Sequence, residues 1–202
     1  MRTLQFTRSR KVAKRMTRLY TIAILPPEPI LTEVNTIKKH IATNFGLRAA
    51  LSIPAQITLQ QPTSLPEWTE SALIRQLEAF SRQLKPFELS IDGFDCKENQ
   101  SLYLNIDNNK GINTSYKSLM KFLKNDLSFT TAKIKKDFTP LITVAYKDLT
   151  PEIFPQLKAS YLDKSYKRTF TVRKIALLKH NYRQWEVLSE LPFSNDLFGQ
   201  CA

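Results

Sequence analysis

The sequence predicts an α+β fold with an internal repeat. Stretches whose apolar residues recur at helical spacing alternate with short stretches typical of strands, and this order of elements occurs twice. Two stretches, Pro54–Leu59 and Pro140–Ala145, also look like copies of one strand, since each has a Pro shortly before Ile, Thr and an apolar residue. With 202 residues, 42% of them hydrophobic, the chain is long enough for one substantial core or for two small lobes that share an interface.

The first half of the chain predicts strand, helix, strand, helix and strand. An apolar run over 19–25 predicts a buried strand, and 55–61 predicts the first repeated strand. Between them, a helix that ends at Gly46 has Lys38, Lys39 and His40 on one side and this apolar stripe on the other: Ile30, Val34, Ile37, Ile41 and Phe45. Capping-box spacing at Ser64 and Glu67 predicts the start of the second helix, and an alternating strand over 87–92 ends at Gly93.

The second half repeats this order and adds a strand. Its predicted elements are a strand over 102–106, a helix over 116–127, the second repeated strand over 140–146, a short helix from Thr150, and strands over 169–179 and 184–190. Side chains alternate between the two faces of a strand. Gln56 and Thr58 therefore share one face of the first repeated strand, and Leu141 and Thr143 share one face of the second.

In these two strands the sequence resembles the 2H phosphoesterase superfamily, which contains 2'-5' RNA ligase-like proteins and cyclic phosphodiesterases. The signature of that family is two His-x-Thr/Ser strands that face each other across a cleft, and the resemblance extends over 19–191 in the order of elements. It implies a bilobal fold of two antiparallel sheets with pseudo-twofold symmetry, flanked by helices and built from two βαβαβ-type halves. A basic tail, 1–18, and a C-terminal tail, 192–202, fall outside this single domain.

The resemblance also implies roles for four residues. In the family one His is the general base and the other the general acid on a 2',3'-cyclic phosphate or a 2'-5' linkage, while the hydroxyls bind phosphate oxygens. The His positions fall on Gln56 and Leu141, and the hydroxyl positions on Thr58 and Thr143. Because neither an amide nor an isobutyl group can transfer protons near neutral pH, we expect no ordinary cyclic phosphodiesterase activity.

Three hypotheses about function remain open. The first is an inactive 2H fold that still binds the phosphate of a nucleotide or RNA through Gln56, Thr58 and Thr143. The second is an active phosphoesterase or ligase-like enzyme with substituted residues, of which Tyr20, Tyr103 and Tyr146 are candidates, although the usual Tyr pKa of about 10 makes each a poor base. The third is a structural or partner-binding protein whose cleft Leu141 fills. A polar, open cleft favours the first hypothesis.

The net charge of +12 suggests an anionic partner such as RNA, a nucleotide or a membrane surface, although many basic proteins have no such partner. Seven of these charges lie in residues 1–18, which contain no acid. They form either a basic arm that binds an anionic polymer or an upstream extension, with Met16 as the working start. Further basic side chains lie either in a rim that meets a nucleic-acid backbone or in solvated loops: Lys133, Lys135, Lys136 and Arg173. Trp68 and Trp185 could stack on bases, although packing in the core is the simpler interpretation.

Several classes of protein are not indicated. His40 and His180 have no Cys or His at ligand spacing, Cys96 and Cys201 are too few for a disulfide framework, and no motif points to a metal or a cofactor. No run of about 18 apolar residues predicts a membrane span. We expect a cytoplasmic monomer with reduced thiols.

Overall fold

The structure is a computed structural model that describes residues 17–107, 109–125, 127 and 138–194. The strands are β1 (Thr17–Ile24), β2 (Ile57–Pro66), β3 (Phe87–Lys97), β4 (Ser101–Ile106), β5 (Leu141–Tyr146), β6 (Lys167–Val172), β7 (Lys174–His180) and β8 (Trp185–Pro192). The α-helices are α1 (Ile30–Phe45), α2 (Glu70–Ser81), α3 (Lys110–Asn125) and α4 (Phe154–Tyr161). Short 3₁₀ turns lie at Ala49–Ser52 and Glu67–Thr69. The α+β prediction is confirmed.

All eight strands join into one curled sheet in the order β6-β3-β4-β5-β2-β1-β7-β8, and every pair of neighbours is antiparallel. At its centre, β2 and β5 are paired in register only at Ile57 and Ile142. This join divides the sheet into a first lobe (β2, β1, β7, β8) and a second lobe (β5, β4, β3, β6). The order reads symmetrically outwards from the join, so the two predicted sheets are the two lobes of one sheet.

The halves of the chain exchange strands: the first half contributes β3 to the second lobe, and the second half contributes β7 and β8 to the first. β3, from the first half, pairs with β4 and β6 in the second lobe, while β7, from the second half, pairs with β1 in the first lobe. The prediction of a single strand over 169–179 is wrong, because this stretch is divided between the two lobes. The chain leaves the sheet at Arg173, so that β6 lies in the second lobe and β7 in the first.

Two helix pairs complete the core. α1 and α4 meet where the Tyr161 hydroxyl lies 2.8 Å from His40 Nδ1, and the rings of Phe45 and Tyr161 are 6.4 Å apart. α2 and α3 meet through the stacked rings of Phe80 and Phe122, 4.7 Å apart. The apolar stripes predicted for these helices face one large cluster of buried side chains.

Several predicted boundaries are wrong. Ser64 lies within β2 and α2 begins at Glu70, so the capping box does not form. Gly93 does not end β3; it sits at a register shift with a φ of 70°, a left-handed backbone that glycine adopts without strain. Thr17 already belongs to β1, and Phe193 is fully buried, so the packed body extends beyond 19–191. Residues 1–16 and 195–202 of the predicted tails lie outside the described residues.

One carboxylate ties the two lobes together close to the central join. Asp148, two residues after β5, accepts hydrogen bonds through Oδ2 from the backbone N–H groups of Arg48 (2.6 Å) and Ala49 (2.7 Å). These donors begin the 3₁₀ turn that leads into β2. Asp148 therefore fixes the end of one repeated strand against the start of the other.

We expect Asp148→Ala to lower the free energy of unfolding by about 1 to 3 kcal/mol, because two backbone donors lose a charged acceptor. Asp148→Asn keeps an acceptor oxygen facing the turn and should lose less than half of that amount. Urea unfolding of the three proteins measures both values. Equal stabilities would show that water replaces the carboxylate without cost.

Candidate functional site

The two repeated strands line one cavity of about 840 Å³ between the lobes, which we call the cleft. Gln56, Thr58, Leu141 and Thr143 all lie in its wall, as the pattern of the two strands predicts. Ile57 and Ile142, the residues between them, are fully buried on the opposite face of the sheet. The central join therefore places both copies of the motif side by side.

The polar groups of the first motif are only partly satisfied. Gln56 directly precedes β2, and its Nε2 donates to Thr58 Oγ1 at 3.2 Å. The other amide atom, Gln56 Oε1, is buried and has no hydrogen-bond partner among the described residues. Because Thr58 Oγ1 accepts in this arrangement, its own proton is available to a ligand. Oε1 is an acceptor, and a buried acceptor without a partner is unusual in a folded protein.

The second motif lies in a cross-strand row that continues across β4 to β3. Thr143 is paired with Tyr103 on β4, and Tyr103 is paired with Asp95 on β3. Burial raises the pKa of Tyr103, and the negative charge and hydrogen bond of Asp95 raise it further. Tyr103 therefore stays protonated at neutral pH, which is the wrong direction for a general base.

The other two candidate tyrosines differ in position. Tyr146 lines the cleft, as Tyr103 does. Tyr20 does not line it: its hydroxyl donates to Glu70 Oε2 at 2.8 Å, and burial together with Glu70 raises its pKa. Tyr20 thus belongs to an ion-pair network with Lys179, which lies 2.7 Å from the same carboxylate oxygen.

Positive charge in the cleft comes from a residue that the sequence did not indicate. Lys97, at the end of β3, is the one charged side chain among the described residues that line the cleft, and Ser101 lies opposite it across the turn. The spacing of the residues around Lys97 and Ser101 does not predict that either lines the cleft. The predicted basic rim is not formed by Arg173, which lies between β6 and β7 and does not line the cleft. Lys133, Lys135 and Lys136 lie outside the described residues.

Neither histidine lies in the cleft. His40 is on the exposed side of α1, and its Nε2 contacts the side-chain amide of Asn44 at 2.8 Å. His180 ends β7, where its ring meets Trp185 edge-on at 5.1 Å. Trp68 is 78% exposed, so the core position preferred for it is wrong. In the described part of the chain, no cluster of three His, Cys, Asp or Glu could hold a metal ion, and no helix is long and apolar enough to cross a membrane.

Lys38 is buried, whereas the sequence predicts it on the polar side of α1. It is only 2% exposed, and its ammonium donates to the carbonyl oxygen of Ile53 at 2.8 Å. Burial lowers the pKa of Lys38 to about 8. The spacing contained this signal, because Lys38 follows Val34 by four residues and thus continues the buried stripe.

The fold and the cleft define a class of protein: a two-lobed α+β protein whose repeated strands bring two x-x-Thr motifs together in a central cleft. A family model described as the 2'-5' RNA ligase superfamily matches residues 26–184. The chain belongs to this superfamily, and the resemblance to the 2H phosphoesterases is confirmed.

Individual relatives are distant in sequence but close in fold. A Bacillus licheniformis protein with a provisional phosphoesterase name is 25% identical over 130 residues, which are 63% of this chain and 70% of that protein. The crystal structure of TT0787 from Thermus thermophilus covers 87% of this chain and 98% of its own, at 16% identity and a TM-score of 0.66. The crystal structure of Escherichia coli LigT in its apo form covers 88% of this chain and 98% of its own, at 13% identity and a TM-score of 0.57.

The lowered pKa of Lys38 makes a prediction about stability. A lysine loses its proton near pH 10.5 in the unfolded chain but near pH 8 in the folded protein. Between these values the unfolded state binds more protons, so folding becomes more favourable as the pH rises. We expect the stability of the wild type relative to Lys38→Met to rise by up to about 3 kcal/mol between pH 7 and pH 10.5, as measured by urea unfolding.

Lys39→Met is the matched control, since the neighbouring side chain is exposed. Its stability relative to the wild type should not change over the same range. A constant difference for Lys38→Met would show that the buried ammonium keeps an ordinary pKa.

Proposed function

We propose that this chain is a catalytically impaired member of the superfamily that binds the phosphate of a nucleotide or an RNA in the cleft. The observation that carries the proposal is the convergence of Gln56, Thr58 and Thr143 on one open cavity. Two hydroxyls and an amide are groups that donate to phosphate oxygens. Lys97 supplies a positive charge in the same wall.

The hydrogen-bonding state of these groups supports a phosphate ligand. Thr58 already accepts from Gln56, so its proton is directed to a further acceptor. Thr143 makes no hydrogen bond to the described residues through its side chain, and it is only partly buried. A phosphate, whose oxygens are acceptors, would satisfy both hydroxyl protons at once.

Among the described residues, the same wall lacks the two histidines that transfer protons in the family signature. General acid and general base catalysis each contribute roughly 10²- to 10⁴-fold to a rate, and both need a group that changes its protonation near neutral pH. No His, Asp or Glu is present among the described residues that line the cleft. Leu141 can only pack, and Tyr103 is held in its protonated form by burial and by Asp95.

The relatives and the geometry of the cleft also bear on the hypotheses of an active enzyme and of a filled cleft. Solved structures of Escherichia coli LigT are complexes with 3'-AMP, ATP, NADP+ and phosphate, which favours nucleotide or phosphate ligands for the shared fold. The hypothesis of a filled cleft is disfavoured by its volume of about 840 Å³, because Leu141 borders the space and does not fill it. An active enzyme would need Tyr146 or Tyr103 as a substitute base. A monomeric, cytoplasmic protein stays a prediction.

The first functional prediction concerns hydrolysis. Purified protein should not hydrolyse 2',3'-cyclic nucleotides above the uncatalysed background, because both proton-transfer positions are occupied by side chains that cannot titrate. The double variant Gln56→His with Leu141→His should gain a measurable trace of activity, followed by chromatography of the products. Robust turnover by the unmodified protein would refute the impairment.

The second functional prediction concerns binding. Thr58→Val with Thr143→Val removes two hydroxyl donors at nearly constant volume and should weaken nucleotide or short-RNA binding by about 1 to 3 kcal/mol in calorimetric titrations. The control is Thr171→Val, a change of the same kind on exposed β6. If the double variant binds as tightly as the control, the phosphate is held elsewhere.

A further inference from the structure

A second cavity, of about 320 Å³, adjoins the cleft. Ile53 and Pro54 line both cavities, so the segment that leads into Gln56 is the wall between them. α1 contributes Lys38 and Lys39 to the second cavity, and β8 contributes Trp185. The roles proposed for the two repeated strands do not involve this second cavity.

The charge of the second cavity is positive and is not balanced within its lining. Lys38 and Lys39 line it, and none of the described residues that line it is a carboxylate. The Lys38 ammonium is buried and has three protons to donate, while the Ile53 carbonyl oxygen is the acceptor that it contacts. A buried charge is normally paired, because its removal from water costs several kcal/mol. An anion in this cavity would supply the missing partner.

The remaining wall is mixed: Asn35, Ser52 and Gln184 are polar, and Trp185 adds an aromatic ring. Trp185 is partly buried and lines the cavity together with Leu51 and Pro54. Its ring is held edge-on by His180 and packs against the small cluster of Ala23, Ala176 and Leu178. A tryptophan that is already fixed in place loses little entropy when a flat ring stacks on it. Lysines beside a fixed indole are suited to a phosphate joined to a base.

We propose that the second cavity binds the nucleotide adjacent to the one in the cleft, so that the ligand is an RNA of at least two nucleotides and not a mononucleotide. Lys38 and Lys39 neutralise the phosphate between the two nucleotides, and Trp185 stacks on the second base. The segment of Ile53 and Pro54 separates the two subsites. This inference rests on the proposed function, because it requires a phosphate in the cleft.

The test compares two ligands, adenosine 3'-phosphate and an adenine RNA trinucleotide with a 3'-phosphate, by calorimetric titration. The wild type should bind the trinucleotide at least about ten-fold more tightly. Lys39→Gln and Trp185→Leu should each remove about five- to ten-fold of the trinucleotide affinity, while the affinity for the mononucleotide changes less than about two-fold. Since Lys39 is exposed on α1, its replacement leaves the fold intact.

Two controls isolate the second cavity from general effects. Lys158→Gln removes the same charge from the exposed face of α4 and should leave the trinucleotide preference unchanged. In a Trp68→Phe background, Trp185 is the one remaining tryptophan of two, and the trinucleotide should quench its fluorescence. Trp68 is exposed, so this replacement is not expected to disturb the core.

The outcomes separate the two proposals. If both ligands bind equally and neither variant matters, the second subsite is refuted while the cleft still binds phosphate. If neither ligand binds, the proposed function fails and the subsite fails with it. If the variants weaken the mononucleotide as much as the trinucleotide, these residues only support the fold of the cleft wall, and the subsite is again refuted.

Discussion

The pairing of Ile57 with Ile142 is the constraint on which the molecule depends. It joins two four-stranded lobes into one sheet, and both side chains are fully buried behind the cleft. Because side chains alternate along a strand, burial of these two residues turns Thr58 and Thr143 to the opposite face. One hydrophobic contact thus aligns the polar groups of the site, and the Asp148 carboxylate holds the two strands at that register from the side.

The sequence predicted the parts of the structure that depend on local order. The repeated strands and the helices between them follow from apolar periodicity, and Gln56, Thr58, Leu141 and Thr143 follow from alternation within a strand. Pairing between distant strands leaves no such local pattern, so neither the placement of β3 and β7 nor the approach of Lys97 to the cleft could be derived. Lys38 is a different case: its spacing indicated burial, but its charge favoured the polar side.

Thr58 and Thr143 keep the hydroxyl positions of the family signature, whereas Gln56 and Leu141 stand at its two His positions. Phosphate recognition needs donors that are fixed in place, and the hydroxyls of Thr58 and Thr143 are such donors whatever the pH. Proton transfer needs titratable groups, and the positions that would carry them are an amide and an isobutyl group. The described residues that line the cleft are therefore nearly uncharged, with Lys97 as the exception. The interactions of the cleft with a ligand should depend on hydrogen-bond geometry more than on ionic strength.

The exchange of β3 and β7 between the lobes limits how far the two lobes can move apart. A chain divided in the short turn after Lys97 would give two fragments, and neither would contain all four strands of a lobe. Each fragment alone would expose the edges of strands whose partners lie in the other, so the fragments are complementary pieces and not independent domains. The covalent crossings also restrain the lobes from swinging apart as rigid bodies, because opening the cleft widely would stretch the short segments that lead into β3 and β7, of which the second is Arg173 alone. The volume of the cleft is consequently a property of the whole fold, in contrast to proteins whose ligand sites close by rotation about a flexible linker.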